Sequence, residues 1–308
     1  MKTPEQPVPF LLLVRPACFG FNRQTAVNNP FQHDAADGPD IGLRAREEFD
    51  GLVRALRSRD IPTLVLQDTP DPVTPDSIFP NNWISSHEDG TLVLYPMFAP
   101  NRRQERKPAL VSRIAEATAA DRTLDLTGWE KRGLFLEGTG SMVLDRPSKT
   151  AYACLSPRTT ETVLEDFCRR TGYRPLAFEA VDRERRPIYH TNLMMSVGST
   201  FAVLCREAFV SHDRLREVEE SLAERGKTVV DISLDQVDRF TGNVLEIRNR
   251  RGERFILMSE TARAAFREDQ LKAICQEAEP LSAPVPCIES VGGGSVRCMV
   301  AELFPGKL

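Results

Sequence analysis

Five stretches of the chain resemble one another at intervals of about 54 residues, a repeat typical of solenoids, propellers and similar arrays. The stretches begin at Phe79, Phe135, Tyr189, Gly242 and Val296. Glu137, His190 and Cys298 occupy equivalent points of three of them, and Asn243 occupies the same point of a fourth. If the repeats close into a ring, equivalent residues converge on its axis. An acid, an imidazole and a thiol would then meet, which is the arrangement that nucleophilic catalysis requires.

The composition is that of an ordinary soluble globular protein. Of the 308 residues, 41% are hydrophobic and 27% are charged, and the net charge is −4. We therefore predict one large repeat-built domain over residues 1–308. The mild negative charge argues against nucleic acid or an anionic membrane as a partner and leaves a small-molecule substrate, with a homodimer possible.

The apolar run at residues 10–14 is too short for a signal peptide and no segment approaches the length of a membrane span, so we expect a cytoplasmic protein. The seven cysteines show no paired spacing and are expected to be reduced thiols. With four histidines and no paired His/Cys ligands, we expect neither a metal site nor a cofactor.

Each repeat is predicted to run strand, turn, strand, helix, strand. The predicted strands of the repeats are 91–95, 140–145, 150–155, 175–178, 193–197, 200–204, 228–232, 243–248 and 255–258. The predicted helices include one through Leu110 and Ile114, one through Val163 and Phe167, one from Ser211 to Leu222, and one over 259–277.

The N-terminal part reads as an incomplete repeat. It predicts strands at 10–14 and 63–66 and a helix over 47–57, and so lacks one strand. The C-terminal segment 298–304 supplies a spare strand. Pairing the two ends completes a fifth unit and removes exposed sheet edges. The Pro/Gly-rich segments 70–80 and 284–294 lie between repeats and are predicted to be active-site loops.

At this point the sequence resembles the pentein fold of the guanidino-group-modifying enzymes. These include arginine deiminase, dimethylarginine dimethylaminohydrolase, and the glycine and inosamine amidinotransferases. Leu136-Glu137-Gly138 resembles their EGG strand, and His190-Thr191-Asn192 resembles their H-x-D motif. Cys298, which follows three glycines at 292–294, resembles their nucleophile. The resemblance runs over the whole chain and implies a five-unit pseudo-symmetric α/β propeller without a cofactor.

The sequences of residues 76–83 and 101–106 are most similar to those of the citrulline-utilisation hydrolases, a branch of the family often called amidinotransferase-like. The resemblance implies that Cys298 attacks the amidino or ureido carbon. It implies that His190 transfers protons and that Glu137 holds a substrate N–H. The alternatives from the residues alone are a buried apolar cysteine, a structural histidine and a strand-end acid.

Two departures from the family pattern concern the substrate. The acid of the H-x-D motif is Asn192 here, and Asn81-Asn82 stands where the deiminases have an Asp. Amides remove negative charge and add donors, so we expect a neutral ureido substrate such as citrulline to be favoured over cationic arginine.

The remaining candidates are substrate contacts. Asn243 shares the equivalent repeat position, and Asp76 either contacts substrate or caps its loop. Arg102 or Arg106 could clamp an α-carboxylate, although the cluster with Arg103 reads more simply as a solvated helix start. Asn22 lies in a segment predicted to be a helix-free loop that, with Asn28 and Asn29, could cover the site. The other histidines, His33, His87 and His212, read as surface residues.

Three functions remain open at this stage. A hydrolase acting on a ureido or guanidino C–N bond is the first, including a deiminase acting on arginine or dimethylarginine. An amidinotransferase with the same nucleophile is the second. A ring-shaped binding protein, like the pentein-fold ribosome-binding factors, is the third, but it has no need of three such side chains at equivalent positions.

Overall fold

The computed structural model describes residues 6–8, 10–34 and 40–304. Within these residues the chain forms a mixed α/β fold with five sheets of three strands each. The strands, in chain order, are β1 (Phe10–Arg15), β2 (Thr63–Gln67), β3 (Ile84–Ser86), β4 (Thr91–Leu94), β5 (Arg122–Asp125), β6 (Val143–Asp145), β7 (Thr150–Cys154), β8 (Arg174–Phe178), β9 (Met195–Val197), β10 (Phe201–Leu204), β11 (Thr228–Asp231), β12 (Leu245–Arg248), β13 (Arg254–Ser259), β14 (Glu279–Ala283) and β15 (Ala301–Leu303).

All five sheets share one topology, in which the central strand is antiparallel to one neighbour and parallel to the other. The orders are β15-β1-β2, β3-β4-β5, β6-β7-β8, β9-β10-β11 and β12-β13-β14. Parallel neighbours need a crossover, and a helix supplies it between the second and third strands of most units. The repeat unit predicted from the sequence is therefore confirmed.

The two ends of the chain pair as predicted. Leu12 of β1 lies opposite Ala301 of β15, and β15 supplies the strand that the N-terminal unit lacks. The strand is shorter than the predicted 298–304, because residues 296–300 form turns that carry Cys298.

The helices cover the sheets and bury one face each. They are α1 (Arg23–Ala26), α2 (Ile41–Ser58), α3 (Pro100–Arg103), α4 (Pro108–Thr118), α5 (Gly138–Ser141), α6 (Glu161–Thr171), α7 (His212–Ala223), α8 (Leu234–Val237), α9 (Glu260–Ala265) and α10 (Glu268–Ile274). In α2, the buried residues Ala45, Phe49, Leu52 and Leu56 recur every three or four positions, which is the spacing of one helical face. No described helix is long and apolar enough to cross a membrane.

Two predicted elements differ from the structure. The helix expected over 259–277 is broken into α9 and α10, because Phe266 and Arg267 adopt extended backbone conformations and Phe266 turns into the core. The strand expected over 140–145 begins only at Val143, because residues 138–141 form the helical turn α5. At Gly138 φ is +47°, and a Cβ would lie 2.2 Å from the carbonyl oxygen of Asn81, so only glycine fits.

Short helical turns follow the functional positions of the repeats. Glu137 directly precedes α5, and His190 directly precedes a 3₁₀ turn at Thr191–Leu193. A third turn, Pro80–Asn82, occupies the same place in the second unit. These turns pack against one another, so the residues beside them lie close together in the fold.

Candidate active site

Cys298 and His190 line one small cavity of about 20 Å³, although 107 positions separate them along the chain. Glu137 lies behind His190, and its Oε2 is 2.8 Å from His190 Nε2. All three side chains are buried. The structure therefore brings together the acid, imidazole and thiol that the repeat places at equivalent points.

The Glu137–His190 pair has a defined protonation state. Burial raises the pKa of Glu137, but Arg158 and the hydrogen bond from His190 outweigh it and bring the pKa to about 2. Burial lowers the pKa of His190 to about 4, against the opposing effect of Glu137. At neutral pH a carboxylate therefore faces a neutral imidazole. Nε2–H must donate to Glu137, which leaves Nδ1 as the nitrogen able to accept a proton.

The Cys298 sulfur lies against two amides. Asn243 Nδ2 is 3.3 Å from Sγ and Asn192 Nδ2 is 3.5 Å from it. Both residues were predicted to contact substrate, but neither lines the cavity. The backbone N–H of Cys298 donates to the carbonyl of Ser295 in the turn after the three glycines.

Asp76 is a buried carboxylate on the cavity wall. Its Oδ2 accepts hydrogen bonds from Asn22 Nδ2 at 2.8 Å and Thr25 Oγ1 at 3.1 Å, and lies 3.8 Å from Arg102 Nε. Its Oδ1 has no hydrogen-bond partner among the described residues. Burial raises the pKa of Asp76, although Arg102 opposes the shift. A buried carboxylate oxygen without a hydrogen bond costs free energy, so we expect Asp76 Oδ1 to accept a hydrogen bond from a ligand bound in the cavity.

Arg102 corrects the expectation of a solvated helix start. It is 2% exposed and donates to Asn82 Oδ1 at 2.8 Å and to both oxygens of Glu105. Burial raises the pKa of Glu105 to about 7, while Arg102 opposes the shift. Arg102 lines the cavity, and its role as a substrate contact stays a prediction.

Of the other predicted substrate contacts, Asn82 lines the cavity and Arg106 and Asn81 do not. Arg106 donates to the Tyr95 carbonyl and to Glu130 and does not line the cavity. Asn82 lines the cavity with an unpaired Nδ2, whereas Asn81 is buried beneath α5 and does not line it.

Arg158 was not identified from the sequence. It is buried on the cavity wall, with Nη1 3.6 Å from Glu137 Oε2 and the guanidinium 4.7 Å from the centre of the Tyr189 ring. It also donates to Asn28 Oδ1 and to the Thr25 carbonyl at 2.8 Å. Arg158 lies in the turn before α6, outside the repeat position, so spacing could not single it out.

Residues 22–34 lie beside the cavity, and Asn29 lines it. The segment was expected to be free of helix, but α1 spans Arg23–Ala26 and the Asn22 side chain caps it. Asn29 Nδ2 donates to the Gly293 carbonyl at 3.3 Å, and the His33 N–H donates to the Ser290 carbonyl at 2.8 Å. At Gly293 φ is +64°, and a Cβ would lie 2.5 Å from Asn29 Nδ2. The loops predicted at 70–80 and 284–294 thus do reach the site.

His87 was expected at the surface, but it is buried. Its Nε2 is 3.1 Å from Ser85 Oγ, and its ring packs near Phe167 and Tyr173. Burial lowers its pKa to about 3, with Arg146 and Lys149 adding to the shift. His33 and His212 are exposed, as predicted.

The five sheets of common topology and the buried Cys–His–Glu cluster define the class to which the protein belongs, the pentein superfamily of arginine-modifying amidinohydrolases. The model of the family described as N,N dimethylarginine dimethylhydrolase, eukaryotic, matches residues 15–305. The chain belongs to that family. The predicted superfamily and the predicted enzyme class, a hydrolase, are thereby confirmed.

Solved structures share the fold. The product-bound N-terminal domain of ArgZ, an arginine dihydrolase from the ornithine–ammonia cycle in cyanobacteria, matches with a TM-score of 0.75 at 15% identity, over 97% of this chain and 98% of that one. AgrE in complex with L-arginine matches with a TM-score of 0.74 at 16% identity, over 97% of this chain. A dimethylarginine dimethylaminohydrolase adduct with S-methyl-L-thiocitrulline matches with a TM-score of 0.66 at 14% identity, over 96% of this chain and all of that one.

At these levels of sequence identity, the matches show only that the fold is shared. The chain spans 41% of full-length ArgZ and 40% of AgrE, so those proteins contain further segments. No curated protein matches the chain at a significant level.

Proposed function

We propose that the protein hydrolyses a C–N bond in the guanidino group of an arginine-type amino acid through a covalent intermediate on Cys298. One observation carries the proposal. Asp76, whose Oδ1 is unpaired among the described residues, and Cys298 line the same cavity. A buried carboxylate that accepts N–H groups beside a thiol suits a planar cation with several N–H donors.

The reaction proceeds in two halves. The Cys298 thiol gives its proton to neutral His190, and the thiolate attacks the guanidino carbon to form a C–S bond. The protonated His190 then gives a proton to the leaving nitrogen, and the C–N bond breaks to release ammonia or an alkylamine. In the second half, water attacks the same carbon and gives a proton to His190. The C–S bond breaks, the thiolate is regenerated, and a ureido product leaves.

Charge at the site supports a guanidinium over a ureido group, contrary to the citrulline preference expected from sequence. That expectation rested on amides in place of acids, but Asn192 faces the sulfur and Asn81 lies beneath α5. Asp76 and Glu137 remain as buried carboxylates. Arg102 and Arg158 lie 3.8 and 3.6 Å from them, and the unpaired Oδ1 of Asp76 is the acceptor left for a substrate. A cation facing them keeps charge partners after losing water, which the desolvation cost requires. Citrulline is retained as a second candidate because Asn82 presents an unpaired amide donor that suits a ureido oxygen.

The substrates named for related structures enter here as candidates. ArgZ is described as an arginine dihydrolase, and the dimethylaminohydrolase acts on dimethylarginine by its name. We therefore propose arginine and methylated arginines as the first substrates to try. The cavity of about 20 Å³ is too small for an amino acid of this size, so we expect it to widen when a substrate enters, with segment 22–34 as the part that moves.

We further propose that the five sheets stand around the site as a pseudo-symmetric ring, and that residues 1–308 form one catalytic domain. The contacts between successive sheets and the β1–β15 pairing support a closed ring. The cytoplasmic location and the homodimer stay predictions.

The test is a product assay with arginine, monomethyl- and dimethylarginine, citrulline and agmatine. We measure ammonia, methylamines, citrulline and ornithine. We expect arginine-type substrates to give the highest kcat/KM and Cys298→Ser and His190→Ala to lose more than about a thousandfold in kcat. Preference for citrulline would refute the charge argument. Amidino transfer to an added amine in place of water would identify an amidinotransferase, and near-normal turnover by Cys298→Ser would exclude the covalent route.

A further inference from the structure

Two buried amides contact the one sulfur that the proposed reaction uses. Asn243 Nδ2 lies 3.3 Å and Asn192 Nδ2 lies 3.5 Å from Cys298 Sγ. An amide NH₂ group can only donate a hydrogen bond, so the sulfur is the acceptor in both contacts. Neither amide lines the cavity from which a substrate reaches Cys298. Their contacts therefore act on the nucleophile.

The other hydrogen bonds of Asn243 determine that the NH₂ end of its side-chain amide faces the sulfur. Its Oδ1 accepts the backbone N–H of Arg297 at 3.1 Å, and its Nδ2 also donates to the Asn192 carbonyl at 3.0 Å. A backbone N–H cannot accept and a carbonyl cannot donate, so exchanging the two ends of the amide would break both bonds. The donor end of Asn243 is thus directed at Sγ by the backbone beside the nucleophile.

Asn192 belongs to a different repeat from Asn243, and its side chain also contacts the sulfur. It lies in the 3₁₀ turn that begins directly after His190, so one short segment carries both the proton-transfer residue and a sulfur contact. Its Oδ1 has no hydrogen-bond partner among the described residues. The amide is positioned by the turn and by the Asn243 bond to its carbonyl.

We infer that Asn243 and Asn192 form a cradle of neutral donors that stabilises the thiolate form of Cys298. They are catalytic residues that act on the nucleophile, and this inference rests on the proposed role of Cys298. A hydrogen bond to the charged form of a group favours that form.

Charged groups also face this sulfur, so the experiment has to separate them from the amides. The cavity wall carries Asp76, Arg102 and Arg158 with His190, and Glu137 lies behind His190. These groups stay unchanged in the variants below. The Asn→Asp variants below remove a donor and also add a charge, so the test includes a control that adds an equal charge where no donor faces the sulfur.

The test measures the rate of Cys298 alkylation by iodoacetamide from pH 5 to 10 without substrate, using Cys298→Ser to subtract other thiols. Alkylation follows the thiolate fraction. Asn243→Asp keeps the oxygen that accepts the Arg297 N–H and replaces the donor that faces the sulfur. We expect the midpoint of the profile to rise by about one pH unit or more, and Asn192→Asp to raise it in the same direction.

Asn82→Asp is the matched control. It adds an equal charge to the wall of the cavity that Cys298 lines, but Asn82 Nδ2 makes no hydrogen bond among the described residues and its Oδ1 keeps the bond from Arg102. A midpoint shift at Asn243→Asp that is clearly larger than at Asn82→Asp supports the cradle. Unchanged midpoints in both Asn243→Asp and Asn192→Asp, or equal shifts in all three variants, would overturn it. Because no substrate is present, a wrong substrate assignment leaves this result intact, whereas a Cys298 that does not alkylate contradicts the proposed function itself.

Discussion

Replacing Glu137 with Gln changes the charge of the acid behind His190 while keeping its shape. In the native protein Oε1 accepts the Phe98 N–H at 3.0 Å and Oε2 accepts His190 Nε2–H at 2.8 Å. In Glu137→Gln the carbonyl oxygen has to stay on the Phe98 N–H, so the new NH₂ faces His190. Nε2 then becomes an acceptor and the imidazole proton moves to Nδ1.

The loss of activity has two parts. A hydrogen bond to a charged group is worth about 1.5–3 kcal/mol, so losing the carboxylate that stabilises protonated His190 costs roughly 10- to 150-fold in rate. The exchanged tautomer blocks Nδ1 as a base, and the comparable exchange in a serine-protease triad costs about 10⁴-fold. We therefore expect kcat to fall by about 10² to 10⁴. Arg158 also loses its anionic partner at 3.6 Å but keeps Asn28 and the Thr25 carbonyl.

The assay is steady-state kcat with the best substrate, together with ¹⁵N NMR of the imidazole to identify which nitrogen carries the proton. Glu130→Gln is the matched control. Glu130 likewise accepts a backbone N–H, from Met97, and pairs with Arg106, but it does not line the cavity. We expect the control to stay within about threefold of the native kcat. A Glu137→Gln enzyme with native kcat, or with the proton still on Nε2, would refute the reasoning.

Three further predictions concern the cover, the substrate charge and pH. Asn28→Ala removes the side chain that Arg158 holds on the covering segment, so Cys298 should alkylate about tenfold faster; an unchanged rate would mean that the segment opens independently of this contact. Asp76→Asn should lower kcat/KM for arginine by about 100-fold and for citrulline by less than about tenfold, and equal losses would contradict a charge role. His87 has a folded pKa of about 3 against about 6.5 in the unfolded chain, so protons bind the unfolded state preferentially and stability is lost as pH falls below 6.5. Urea unfolding at pH 7 and 5 should show His87→Gln losing about 2 kcal/mol less than the native protein over this interval, and parallel losses would count against the burial argument.

Spacing in the sequence was enough to predict the repeat unit, the pairing of the chain ends and the proximity of Glu137, His190 and Cys298. These are consequences of periodicity. Glu137 and His190 stand before equivalent turns, and Leu12 meets Ala301 because each sheet needs its third strand. A topology repeated five times places equivalent positions in equivalent surroundings, so identity of position in the repeat predicts nearness in space.

Local backbone detail was less predictable. The extended conformation at Phe266 and Arg267 divides one expected helix, and the positive φ at Gly138 turns an expected strand into a helical turn. Both depend on what the residue packs against. Helices and strands are predicted from the spacing of apolar residues, and that spacing contains no information about such tertiary contacts.

The repeat and the equivalent positions of Glu137, His190 and Cys298 were thus determined by the sequence itself, because spacing along the chain does not depend on how side chains pack. The burial and partners of the polar residues were decided only by the tertiary structure. Arg102 and His87 were expected in solvent, Arg158 carried no signal, and Asn243 was assigned to the substrate although it faces the sulfur. A polar side chain is buried where partners satisfy it, and those partners lie far away along the chain, as Asn28 lies 130 residues from Arg158.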